Sequence, residues 1–129
     1  MFIDKLNSEQ QGALLSIAAQ LIEADGNVSS QETALLNVFR NQMLADVKPA
    51  PVSVSDLPNI FTSTQAKVAF LLELLGLAHA DAEYHVAEND FISNIAAAFS
   101  ISEVFLANME SWVCRQFALV REAEQFMGE

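Results

Sequence analysis

Phe70-Leu71-Leu72-Glu73-Leu74-Leu75-Gly76-Leu77-Ala78-His79-Ala80-Asp81, then six residues, then Glu88 followed by Asn89-Asp90-Phe91-Ile92-Ser93-Asn94-Ile95, is the stretch on which the reading of this chain turns. It occurs twice. Residues 14–39 lie over residues 70–95 without a gap, matching Leu15 to Leu71, Leu21 to Leu77, Ala24 to Ala80, Asp25 to Asp81 and Glu32 to Glu88. The merely similar pairs are apolar (Leu14 with Phe70, Val28 with Tyr84, Leu35 with Phe91, Leu36 with Ile92, Phe39 with Ile95) and fall at helical spacing. An apolar helix, Ala-Asp, a short loop, Glu and a second apolar helix is therefore a unit used twice.

Outward from the repeat, helix signals are frequent. Ser8-Glu9-Gln10-Gln11 has the form of an N-cap with Gln three residues on, and Leu14, Leu15, Ala18, Leu21 and Ile22 follow at helical spacing, predicting a helix over 9–24. Asp25-Gly26-Asn27 stops it, and Ser29-Ser30-Gln31-Glu32 opens a second helix that ends near Ala45. Pro49, Pro51 and Pro58 make residues 46–63 a connector, with room for one short helix from Ser55 through Phe61. Thr64 caps the most apolar helix, over 65–82, and Glu88 opens the next, through Phe99. From the Ser100-Ile101-Ser102-Glu103 cap a last helix runs to Met127. The predicted fold is all-α: a compact helical bundle of two pseudo-repeated helix–loop–helix units plus a long C-terminal helix, one domain over 1–129.

Composition narrows the function. In 129 residues, 52% are hydrophobic, ample for one core. The 17 acids against 6 bases give a net charge of −11, which repels phosphate backbones and anionic lipid alike, so neither nucleic acid nor membrane is an expected partner. Met1-Phe2-Ile3-Asp4-Lys5 is acidic too early to be a signal peptide, and the longest apolar stretch is too short to span a bilayer. A soluble, cytoplasmic protein is expected. Cys114, the one cysteine, lies beside Trp112 and Val113 and reads as a buried thiol.

Each loop sets an Asp at the end of one helix and a Glu at the start of the next. The Glu is favoured there by the helix dipole and can close a capping box. The Asp faces the negative end of a dipole, and it does so twice. Two explanations stand: an Asx-type turn that caps locally, or cation binding with Asp25, Glu32, Asp81 and Glu88 as oxygen ligands. Carboxylates favour Ca²⁺ or Mg²⁺, while His79 and His85 in the second loop would admit Zn²⁺ or Mn²⁺. Each His also has a plain reading, His79 as a cation at a helix end and His85 as a cap residue. The ligand spacing of an EF-hand is absent.

Ala24-Asp25-Gly26-Asn27-Val28 with Glu32, and Ala80-Asp81-Ala82-Glu83-Tyr84 with Glu88, resemble the paired Ala-Asp-Gly-Glu loops of the TerB-like (tellurite-resistance protein B) family. The resemblance covers roughly residues 8–127, and departs from the pattern at Asn27 and Ala82. It implies a compact all-helical cytoplasmic domain, often encoded with stress-response or membrane-associated partners, and a proposed metal-binding role for Asp25, Glu32, Asp81 and Glu88. Enzymatic chemistry is not expected. No Glu-x-x-His of a carboxylate-bridged di-metal centre is present, nor a nucleophile elbow or a phosphate loop. The alternative function is a plain helical interaction module without a metal, most simply a homodimer. Val104, Phe105, Leu106, Met109, Trp112, Val113, Phe117, Leu119, Val120, Phe126 and Met127 cover more of the last helix than one core-facing stripe requires, so this helix, with the apolar helix 65–82, is the predicted protein-binding surface. Cover by Phe2-Ile3 and by the short helix near Phe61 is the competing explanation.

Overall fold

The computed structural model describes residues 2–23, 51–80 and 86–128, with 33, 34, 37, 38, 41 and 43 between them. Every regular element among these is helical. A 3₁₀ turn at Ile3–Lys5 precedes α1 (Ser8–Glu23); a second 3₁₀ turn, Val54–Asp56, runs into the short α2 (Leu57–Ile60); then come α3 (Thr64–Ala78), α4 (Val86–Ala98) and α5 (Glu103–Phe126). Thr33, Ala34, Asn37, Val38 and Asn41 are helical too, within the predicted second helix.

The most apolar segment of the sequence becomes the centre of the molecule. α3 packs against α1, α4, α5 and the first 3₁₀ turn, and its Phe70, Leu71, Leu74, Leu75 and Leu77 are fully buried. A helix apolar on most sides has to be enclosed, so α3 supplies the core and contributes little docking surface. α1 gives it Leu14, Ile17, Ala18 and Leu21, and α4 gives Ile92, Ile95 and Phe99. Phe61, just after α2, closes an aromatic triangle. Its ring centroid is 4.6 Å from that of Phe70 and 5.7 Å from that of Phe99, and those two are 5.7 Å apart, all tilted or edge-on as ring quadrupoles prefer.

The helix starts lie close to, but not on, the expected residues. At α1 the capping box is Asn7 with Gln10: Gln10 N–H donates to Asn7 Oδ1 at 2.8 Å and Asn7 N–H to Gln10 Oε1 at 2.9 Å. Ser8 and Gln11 have the same spacing, but Gln11 is buried and otherwise engaged. Its Nε2 donates to the carbonyls of Ile3 (3.2 Å) and Leu6 (3.0 Å), which ties the N-terminal turn to α1. Ser53, not Ser55, caps the connector turn through a reciprocal pair with Asp56, and Ser63, not Thr64, caps α3 by accepting from Ala66 N–H at 3.1 Å. α3 stops at Ala78, earlier than predicted, with His79 as its C-cap.

Between α4 and α5 the two serines divide the work. Ser100 sits in the left-handed region (φ 59°), where it ends α4 through Ser100 N–H to Ala97 O at 3.0 Å and Ile101 N–H to Ala96 O at 2.9 Å. That is a Schellman motif with serine in the place glycine usually takes. Ser102 then caps α5, accepting from Phe105 N–H at 3.1 Å.

Candidate functional site

Of the four predicted ligands, Glu88 is described. It stands in the first turn of α4 and is 1% exposed. A carboxylate at a helix N-terminus is favoured by the dipole, but burying one fully is costly unless its oxygens are well satisfied. Asp25, Glu32 and Asp81 lie outside the described residues, as does His85. Among the described residues no group of three His, Cys, Asp or Glu side chains is placed to hold a metal ion.

A second set of polar side chains joins the end of α3 to α5. His79 Nε2 lies 3.4 Å from Glu110 Oε2, and its Nδ1 lies 3.9 Å from Cys114 Sγ. The sequence reading of a buried Cys114 is corrected here, since the thiol is exposed. Cys114 follows buried Val113, and one step of 100° along the helix carries it off the core face. Glu110 and Cys114, four residues apart, share the face of α5 that meets His79, and that spacing was the available sign of it in the sequence. A thiol, an imidazole and a carboxylate in line have the order of a nucleophile, its base and an orienting acid. The adjoining groove between α4 and α5, about 210 Å³, is lined by Asn89, Ser93, Glu103, Leu106, Ala107 and Glu110, and so by neither His79 nor Cys114. Of the trio only Glu110 reaches this groove, so the thiol and imidazole do not open into it.

The largest anomaly is α5 itself. Apolar pairs recur along it every seven residues: Phe105-Leu106, Trp112-Val113, Leu119-Val120 and Phe126-Met127. Of the first two pairs, Leu106, Trp112 and Val113 engage the bundle, while Phe105 is 42% exposed. Leu106 and Trp112 are half-buried against the core, Val113 is buried, and the ring of Phe2 lies 5.8 Å from that of Trp112. Phe2 is held there by its own N–H, which donates to the buried Glu73 Oε1 at 2.6 Å. The last two pairs are exposed: Leu119 60%, Val120 50%, Phe126 82% and Met127 72%. The expected cover by Phe2 thus reaches Trp112 and goes no further, while Phe61 is used in the core. Phe117 is the last side chain of α5 packed on the core, and from there the helix keeps its apolar period for about 15 Å more, at 1.5 Å per residue.

No family model, curated protein or solved structure matches this chain.

The site must then be judged on its chemistry. The described residues offer an acidic body with two buried carboxylates, Glu73 and Glu88, and an apolar helix face open to solvent. Among the described residues no helix is long and apolar enough to cross a membrane, so this face is not explained as part of a span.

Proposed function

We propose that the protein is a non-catalytic helical interaction module whose docking element is the C-terminal half of α5. The observation that carries this is the pair of exposed apolar steps, Leu119-Val120 and Phe126-Met127, in phase with Leu106, Trp112 and Val113, which pack on the core. Taking roughly 150–200 Å² for each fully exposed residue, they present on the order of 500 Å² of apolar surface, as large as the biggest patch on an ordinary monomer and usually functional at that size. The test is photo-cross-linking in the cells that make the protein, with a benzophenone amino acid at position 119. A discrete adduct that disappears on Phe126→Glu is expected; a protein that gives none has no docking partner at this face.

A second reading is favoured by Glu88. A carboxylate buried at a helix start is a good ligand for a hard divalent cation, and with Asp25, Glu32 and Asp81 it would form the paired acidic site implied by the resemblance to TerB-like proteins. In that reading the two helix–loop–helix units share one cation, and the module serves a cytoplasmic stress response of the tellurite-resistance kind. Ca²⁺, Mg²⁺, Mn²⁺ or Zn²⁺ at a hundred times its Kd would stabilise the fold by about 2.7 kcal/mol. Melting curves with each ion against EDTA, for the native chain and Glu88→Gln, check it: no ion-dependent shift in the native chain removes the site.

A further inference from the structure

The partner that this face fits is a second copy of the same chain. We infer that two α5 helices pair antiparallel through their exposed halves, about a twofold axis near Ala123; this rests on the docking face proposed above. Three observations converge on it.

The first is the spacing. A period of seven, close to but not equal to twice the helical turn, is the period at which two helices stay in register along a shared seam. Leu106, Met109, Val113, Gln116, Val120, Ala123 and Met127 alternate three and four residues apart, and the bundle uses this seam only as far as Val113. With the axis at Ala123, the Leu119-Val120 pair of one copy meets the Phe126-Met127 pair of the other, and the small alanine stands at the closest approach. Large residues then fill the space on either side of it, as close helix packing requires.

The second is charge. The chain carries −11, which opposes self-association. Residues 114–128 are the exception, with Arg115 and Arg121 balancing Glu122 and Glu124. The longest exposed apolar face among the described residues thus lies on a locally neutral segment. Orientation follows from the same numbers. Parallel pairing would set two acidic bodies side by side, where like-charge juxtaposition is costly. Antiparallel pairing holds Val113 of each copy about 30 Å apart along the axis, several times the screening length of about 8 Å at physiological salt.

The third is area. The exposed pairs of both copies bury on the order of 1,000 Å², at the lower edge of specific interfaces. The association is therefore reversible and concentration-dependent.

Sedimentation equilibrium on the full chain should show a mass rising from about 14.1 kDa toward twice that value with concentration. Leu119→Glu should hold it at the monomer mass with the melting temperature of the dilute native protein unchanged, because Leu119 lies outside the core. A nitroxide on the native Cys114, exposed and unique, reads the orientation: about 27 Å along the axis separates the two labels in the antiparallel pair, whereas a parallel pair brings them within roughly 15 Å. A protein that remains monomeric up to the highest soluble concentration, a dimer indifferent to Leu119→Glu, or a short label distance each overturns the inference. The cross-linking experiment separates this failure from that of the docking reading. An adduct with another protein alone refutes self-pairing and leaves the docking face standing, while a monomer without any adduct refutes both.

Discussion

Phe61→Ala and Phe126→Ala make the same chemical change at two places that the structure distinguishes completely. Phe61 is fully buried, with Phe70 and Phe99 around its ring, whereas Phe126 is 82% exposed. Removing a buried phenylalanine ring costs about 3–5 kcal/mol through lost transfer energy and the cavity left behind, and the aromatic contacts put this site toward the upper end. Small domains have only about 5–15 kcal/mol in hand, so Phe61→Ala takes a large share of it. In urea, with a slope of roughly 1–3 kcal/mol per molar, the unfolding midpoint should fall by about 2 M. Phe126→Ala, measured at a concentration where the chain is monomeric, should stay within about 0.5 kcal/mol of the native protein. Helical circular dichroism followed through the transition is sufficient, provided that the slopes agree. If Phe126→Ala costs as much as Phe61→Ala in the monomer, the end of α5 belongs to the core and the separation between folding surface and docking surface is wrong.

Ser100→Gly should stabilise the protein by about 0.5–1 kcal/mol, since glycine takes the left-handed conformation without a side-chain penalty; an unchanged or lower melting temperature would count against the Schellman assignment. Gln11→Leu keeps the bulk but removes the donor shared by the Ile3 and Leu6 carbonyls, and should cost about 2–3 kcal/mol. Trp112 reports it as well, because loosening the N-terminal turn releases Phe2 from the indole and shifts its emission to longer wavelength; a blue or absent shift speaks against this coupling. At the connector, the backbone N–H and hydroxyl of Ser53 hold the Asp56 carboxyl below the ordinary aspartate range. A depressed folded value means that the capping interaction is present above the unfolded value and is lost as pH falls through the folded one. Carboxyl NMR should give Asp56 a midpoint below that of a free aspartate, moving only part of the way up in Ser53→Ala, which removes the hydroxyl and keeps the N–H; a native midpoint at the free value would rule out the cap.

The helices were legible because apolar spacing carries across a whole segment, and Leu14 to Ile22, Phe70 to Leu77 and Leu106 to Val113 leave no other face to bury. Caps were legible only to within a residue or two. Asn7 with Gln10 and Ser8 with Gln11 are equivalent on paper, and the choice is made by where Gln11 has to reach, a tertiary fact. Cys114 shows the limit differently. Its sequence neighbours are apolar, but on a helix the residue beside a buried one points away from it, so local composition misled where angular position would not have. The exposed steps of α5 were visible as excess apolar surface, while the assignment of Phe2 to Trp112 and of Phe61 to the core needed coordinates. Glu88 could be picked out as a helix-start acid; that it is fully buried could not.

The central place of α3 has a consequence during synthesis. It touches α1, made before it, and α4 and α5, made after it. At 5–20 residues per second, roughly 2–7 s pass between translation of Ala78 and of Val113, the last fully docked residue of α5. At the start of that interval the leucines of α3 have only α1, the first 3₁₀ turn and Phe61 to shelter them, and the nascent chain displays the most apolar segment of the protein with the walls from α4 and α5 still missing. A polypeptide stopped after α4 would lack the α5 wall permanently, so nonsense truncations near residue 100 should be found with chaperones or in aggregates rather than as a smaller folded domain.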